Sequence, residues 1–155
     1  MIQNQNQIPQ GAFILGLAGL LPQLAACIVA FTDNDYKMYA LVSGFSYSAL
    51  IFSFIGGVWW GQALFAPSKH TWIFTAAVCP SLIAWGAALL LFLNLKSWPY
   101  AIGAVAFGLL VSPLIDLRIS KVINPPVNWM KLRIMLSIGL GCLTLILATL
   151  TLHAI

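Results

Sequence analysis

The sequence predicts an all-α polytopic membrane protein, a compact bundle of five transmembrane helices. Hydrophobic residues make up 61% of the 155-residue chain and charged residues only 6%, with a mean hydropathy of +0.97. A soluble domain carries about 25% charged residues, so this chain lacks the side chains that a water-facing surface needs. Five long apolar runs, separated by short polar connections, complete the pattern and exclude soluble and disordered classes.

Each of the five runs is long enough to cross a bilayer as a helix. A hydrocarbon core of about 30 Å needs about 20 helical residues, whereas barrel strands would alternate over segments of about 10 residues. That alternation is absent, and helices satisfy their own backbone groups in lipid. The predicted helices cover residues 11–31, 38–65, 72–93, 98–117 and 131–152, within a single domain over residues 1–155.

Prolines and polar turns set the ends of the first two helices. The first begins after Pro9 and carries a break at Pro22, followed by Gln23, which needs a polar partner or the outer interface. The turn 32–37 leads into the second helix, which ends before Pro67. These short links predict that the two helices are antiparallel neighbours.

Prolines and short connections also mark the kink or the ends of the last three helices. The third contains Pro80 near its middle, where a missing N–H predicts a kink. The connection 94–97 precedes the fourth helix, in which Pro99 occupies the first turn. The longest connection, residues 118–130, contains Pro125 and Pro126 and cannot continue as a helix.

The distribution of positive charge predicts the orientation in the membrane. Five cations lie on the side of the N-terminus: Lys69, Arg118, Lys121, Lys131 and Arg133. Lys37 and Lys96 lie on the other side. The positive-inside rule then places the N-terminus in the cytoplasm and the C-terminus outside. Because these cations form no basic stripe, nucleic acid is not an expected partner, and the lipid bilayer is.

The second helix carries small residues and a tryptophan near its cytoplasmic end. Ser53, Gly57 and Gly61 are spaced four apart and share a face that a neighbouring backbone can approach. On a helical wheel Trp60 shares that face and Trp59 points nearly the opposite way. One interpretation is a pocket walled by Trp60 and closed by Gln62. The alternative is helix packing with an aromatic belt at the membrane interface.

The third helix places a serine and a tryptophan on one face. Ser81 and Trp85 lie four residues apart, just after Pro80. They predict either a polar notch that lines a cavity or a kinked packing helix in which Ser81 bonds to its own backbone.

An ion pair is predicted where the fourth helix ends and the fifth begins. Asp116 lies at the end of one helix, and Trp129 and Arg133 lie at the start of the other. Arg133 is the expected partner, since Arg118 is two residues from Asp116 and faces another way. The pair either pins the helix ends or forms the ionic floor of a site in the inner leaflet.

The residues that catalysis would need are missing. The chain has no glutamate, and its two histidines, His70 and His153, are predicted on opposite sides of the membrane. They cannot share a metal or a haem, so no metal site and no cofactor is predicted. The three cysteines lack metal-binding spacing and are expected to be free. The protein is therefore not expected to be an enzyme.

Several of these segments resemble one family. The residues that carry the resemblance are 15–22, the run 47–61 with its Gly-Gly-x-x-Trp-Gly pattern, 80–85, Asp116, Trp129, Leu132 and Arg133. Over about residues 15–133, the chain is similar to the bacterial and mitochondrial transmembrane protein 69-like family, whose function is not established. The resemblance implies a small multi-pass protein of the bacterial inner (cytoplasmic) membrane.

Two classes of function remain open. The first is a non-catalytic accessory subunit or assembly factor of a larger inner-membrane complex, such as a respiratory one. The alternative is a small pocket protein that binds or moves a hydrophobic molecule such as a lipid or a quinone. The pocket requires Trp60, Gln62, Asp116, Trp129 and Arg133 to converge around a cavity. A partner-binding role predicts that they are close-packed or face outward.

Overall fold

The computed structural model describes residues 8–66, 70–123 and 125–152, and their architecture is helical. The helices are α1 (Gln10–Ala18), α2 (Leu21–Thr32), α3 (Lys37–Leu64), α4 (Thr71–Leu93), α5 (Trp98–Ile119) and α6 (Trp129–Leu152), with a 3-10 turn at Leu95–Ser97. Because α1 and α2 together make one span, the described residues contain five spans of membrane-crossing length and composition. The predicted fold class is confirmed, and helix ends differ from prediction by at most two residues. Pro67, Lys69 and His153 lie outside the described residues.

The predicted break in the first span lies slightly before Pro22. Residues Gly19 and Leu20 separate α1 from α2, and Pro22 occupies the first turn of α2. A proline ring clashes with the carbonyl four residues earlier, which is that of Ala18, the last residue of α1. The Tyr47 hydroxyl on α3 donates a hydrogen bond to the Gly19 carbonyl. The interruption between α1 and α2 is therefore stabilised by a hydrogen bond from α3.

Two helices form the centre of the bundle. On α5, Ile102, Val105 and Leu109 are completely buried, and α5 packs most extensively against α6. The other central helix, α3, packs mainly against α4 and α2. Gln23 on α2 is completely buried, and its Nε2 donates to Thr144 Oγ1 on α6 at 3.2 Å. The amide nitrogen thus has the predicted polar partner, whereas the buried Oε1 of Gln23 has none among the described residues.

The crossing of α3 and α4 depends on Gly56, which sequence analysis did not single out. A Cβ atom at Gly56 would meet the Ala77 carbonyl oxygen and lie 3.3 Å from Pro80 Cγ. A Cβ at Gly57 or Gly61 would have no neighbour within 4 Å. Within the bundle the packing glycine is therefore Gly56, one residue or about 100° of helix rotation from the predicted face of Ser53, Gly57 and Gly61.

Candidate functional site

Asp116 and Arg133 form a buried ion pair between α5 and α6. Arg133 Nε lies 3.0 Å from Asp116 Oδ2, and the two side chains are 12% and 2% exposed, respectively. The predicted pairing is confirmed. Breaking such a pair costs more than breaking an exposed one, because a lone buried charge remains.

Trp59 on α3 completes the contacts of the carboxylate. Its Nε1 donates to Asp116 Oδ1 at 2.7 Å, and its side chain is buried. Asp116 thus connects α3, α5 and α6. The prediction that Trp60 belongs to this cluster and that Trp59 points away from it is wrong. Trp60 is 45% exposed and packs edge-on against Phe74 of α4, with ring centroids 4.9 Å apart.

The polar contacts continue from Arg133 into the bundle. Arg133 Nη1 lies 3.4 Å from Ser137 Oγ, which is 3.2 Å from Ser112 Oγ. Ser112 donates its single hydroxyl proton to the Leu109 carbonyl at 2.8 Å. Ser137 is therefore the donor to Ser112 and accepts from Arg133. The network thus runs from Trp59 to Ser112 through buried or nearly buried groups.

One donor of the network has no acceptor. Arg133 Nη2 is buried and makes no hydrogen bond among the described residues. Asp116 Oδ2 is within ion-pair distance of Arg133 Nε, although it lacks a partner of good hydrogen-bond geometry. An unmade hydrogen bond of a buried charged group costs more than that of a neutral group. Nη2 is inaccessible even to a water molecule, so the unmet donor adds to the cost of burying the pair.

Arg133 also contributes to the wall of an apolar cavity of about 290 Å³. Its walls come from the α1–α2 junction, from α3 and from the first half of α6, and Arg133 and Ser137 are part of them. Most of the lining is apolar, including Leu20, Ile51, Leu136 and Leu140. Its rim includes Leu15 and Phe54, both strongly exposed. The cavity thus opens toward the outside of the bundle, where lipid would lie.

The other predicted site residues fall into two groups. Trp129 lines the cavity and also borders, with Gln62 and Asp116, a narrow space that has no room for a water molecule. Ser81 and Trp85 face outward from α4, and Trp85 is 64% exposed. The predicted notch at Ser81 and Trp85 is therefore wrong. The structure brings together Gln62, Asp116, Trp129 and Arg133, but not Trp60, Ser81 or Trp85.

Sequence reasoning missed Trp59, Ser112 and Ser137. A usable signal existed for the serines, since Ser112 and Asp116 are four residues apart on α5, as are Arg133 and Ser137 on α6. Residues at that spacing share a helix face. The described residues contain no group of three His, Cys, Asp or Glu that could hold a metal ion.

Comparisons with known proteins agree with the sequence resemblance. A family model described as "Protein of unknown function (DUF3429)" matches residues 8–150. Transmembrane protein 69 of Xenopus tropicalis is 38% identical over 84 residues, which are 52% of this chain and 33% of the frog protein. The match therefore spans about a third of that relative's length. No solved structure matches. The predicted resemblance to the transmembrane protein 69-like family is confirmed.

Proposed function

The chain belongs to the DUF3429 family of proteins of unknown function. We propose that it binds a hydrophobic molecule in the cavity that Arg133 helps to line. The family description assigns no activity, so the proposal depends on the site. One observation carries it: an apolar cavity of about 290 Å³ that opens toward the outside of the bundle lies next to the buried Asp116–Arg133 pair, with Arg133 in its wall.

A buried ion pair and an unfilled cavity both cost folding free energy. This cost supports ligand binding over a role limited to pinning the helix ends. Charged groups inside a membrane are expensive and mark functional sites by default. An ion pair that served only to pin helix ends would be cheapest with every hydrogen bond made. Protein interiors are otherwise close-packed, and an occupant of about 290 Å³ would fill this space.

We propose binding without catalysis. Asp116 is already engaged by Trp59 and Arg133. Among the described residues that line the cavity there is no histidine, cysteine or carboxylate to act as a nucleophile or proton carrier. The arrangement supplies a mostly apolar surface, which can hold a hydrophobic molecule.

Filling the cavity tests the proposal. Val58 lines the cavity, and Val58→Phe adds a ring to its wall. Val78→Phe adds the same ring to the exposed surface of α4. After purification in mild detergent and solvent extraction, mass spectrometry is expected to find the same bound molecule in wild type and Val78→Phe. Val58→Phe is expected to retain about tenfold less, equivalent to about 1.4 kcal/mol of binding energy. Equal retention in both variants would refute the proposal.

A second candidate function, an accessory subunit or assembly factor of a membrane complex, is favoured by the outward face of α3. A Cβ atom added at Gly57 or Gly61 would have no neighbour within 4 Å, and Ser53 precedes these glycines at the same spacing. Small residues four apart are typical of helix–helix association in membranes. This face would contact another membrane protein.

Bulky substitution on that face tests the second candidate. Gly57→Ile is expected to remove any stoichiometric protein companion during native purification, because the branched side chain prevents close backbone approach. Gly86→Ile on α4, where a Cβ also has no neighbour within 4 Å, is the matched control and should keep the companion. A companion that survives Gly57→Ile, or its absence from the wild-type preparation, would exclude this face as the contact.

We further propose the bacterial inner membrane as the location, with the N-terminus in the cytoplasm. Arg118, Lys121 and Lys131 lie at the end of the bundle where α5 joins α6, and Lys37 and Lys96 lie at the other. Under the positive-inside rule, the first end faces the cytoplasm.

A further inference from the structure

We infer that a groove between the starts of α1 and α6 binds an anionic phospholipid, with the lipid headgroup beside Lys131 and an acyl chain along the apolar residues that follow. The groove has a volume of about 550 Å³ and lies at the end of the bundle where both helices begin. It is a second site, distinct from the cavity of the proposed function, and the inference does not depend on that function.

The groove and the cavity lie on different sides of α1. Phe13 and Ile14 line the groove, whereas Leu15 and Gly16 line the cavity. With about 100° of rotation per residue, the two pairs point to nearly opposite sides of the helix. A molecule bound in the groove therefore leaves the cavity free, and the two sites can be tested separately.

The lining of the groove changes from polar to apolar along both helices. Gln10 is the first residue of α1, and Asn128 and Lys131 lie just before and within the first turn of α6. Phe13 and Met135 line the groove about one turn further along. Both helices belong to spans of membrane-crossing length and composition, so the polar residues lie nearer the membrane surface than the apolar ones. A phospholipid has the same order, with a polar headgroup at the surface and acyl chains below it.

The charge at this end of the bundle favours an anionic headgroup. The described cations here are Arg118, Lys121, Lys131 and Arg133. The carboxylate among the described residues at this end, Asp116, is already paired with Arg133, whereas the opposite end has two cations and two carboxylates. Lys131 is exposed, forms no ion pair with a described residue, and has no acidic residue beside it in the first turn of α6. Basic pockets between membrane helices bind anionic lipid headgroups, and a phosphate would complement this charge.

The apolar part of the groove favours a lipid over an acidic segment of another protein. A peptide that followed the groove past Phe13 and Met135 would carry backbone N–H and C=O groups into the membrane, where each needs a hydrogen-bond partner. The lining at that depth is apolar. An acyl chain has no polar groups to satisfy, and its contact with these side chains is favourable.

Titration with added lipid tests the inference. Because the groove is open, its lipid exchanges with detergent during purification, so lipid is added back to the full-length protein in mild detergent. The probes are phosphatidylglycerol, phosphatidylcholine with the same acyl chains, and glycerol phosphate, which has no chains. Native mass spectrometry measures the bound fraction. Phosphatidylglycerol is expected to bind the wild-type protein about fivefold more tightly than phosphatidylcholine, which corresponds to about 1 kcal/mol for one cation near a membrane surface. Glycerol phosphate is expected to bind far more weakly than either lipid.

Two lysine variants locate the site. Lys131→Gln removes the charge from the groove and is expected to bind the two phospholipids equally. Lys121→Gln makes the same change at an exposed lysine of the same end that does not line the groove, and should keep the preference for phosphatidylglycerol.

Three outcomes would overturn the inference. Equal binding of the two phospholipids by the wild-type protein, or an equal loss of preference in both lysine variants, would refute a lipid site at Lys131. Glycerol phosphate that bound as tightly as phosphatidylglycerol would leave a phosphate site without a lipid. A stoichiometric protein companion released by Lys131→Gln would identify a protein as the occupant instead. None of these outcomes involves Val58→Phe, so the inference and the proposed function fail separately.

Discussion

Purified Gly56→Leu is expected to lose the native bundle, whereas Gly57→Leu is expected to unfold within a few degrees of the wild-type temperature. A side chain at Gly56 would meet the Ala77 backbone and Pro80, neither of which can turn aside. Overpacking typically costs about 1–3 kcal/mol, and a whole leucine between two backbones should exceed that range. At Gly57 a Cβ meets no atom within 4 Å. The measurement is thermal unfolding in detergent, followed by tryptophan fluorescence.

The two glycines are neighbours in one helix and differ only in the direction of their faces. The pair therefore controls for helix propensity, which changes equally at both positions. Equal destabilisation by both substitutions, or none by either, would contradict the packing of α3 against α4 described above.

Asp116→Leu is expected to destabilise the protein by about 3–5 kcal/mol, because it leaves the Arg133 charge buried and unpaired. It also removes the acceptor of the Trp59 indole N–H. Chemical denaturation in detergent, together with the yield of folded protein, measures the effect. The change should be larger than that of Arg118→Leu, which removes an exposed charge from the surface.

The double variant Asp116→Leu with Arg133→Met provides the control. Replacing a buried ion pair with apolar residues of similar volume is often neutral or stabilising. We therefore expect it to recover most of the stability that Asp116→Leu loses. If Asp116→Leu were as stable as wild type, or the double variant no more stable than Asp116→Leu, the buried pair would not be a coupled unit.

The spans could be predicted because length and hydropathy fix them, independently of neighbours. The ion pair could be predicted because Asp116 is a lone carboxylate near the end of one helix and Arg133 lies near the start of the next. Charges in lipid need partners, and few partners were available in the sequence.

The rotation of α3 about its axis could not be predicted. A membrane helix is apolar on its lipid-facing and core-facing sides alike, so hydrophobic periodicity does not distinguish them. The choices between Trp59 and Trp60, and between Gly56 and Gly57, both depend on that rotation. The same lack of contrast explains the wrong placement of Ser81 and Trp85 on α4. The cavity was also beyond sequence reasoning, because it arises where the break after Ala18 leaves space between three helices.

Native mass spectrometry of the intact wild-type protein, released gently from detergent, is the most direct test of ligand binding in the cavity. We expect one added mass per chain, belonging to a hydrophobic single-chain or single-ring molecule. Such a molecule fits an apolar cavity of about 290 Å³. Detection of the bare chain alone, or of an adduct that is equally abundant in Val58→Phe, would contradict ligand binding in the cavity.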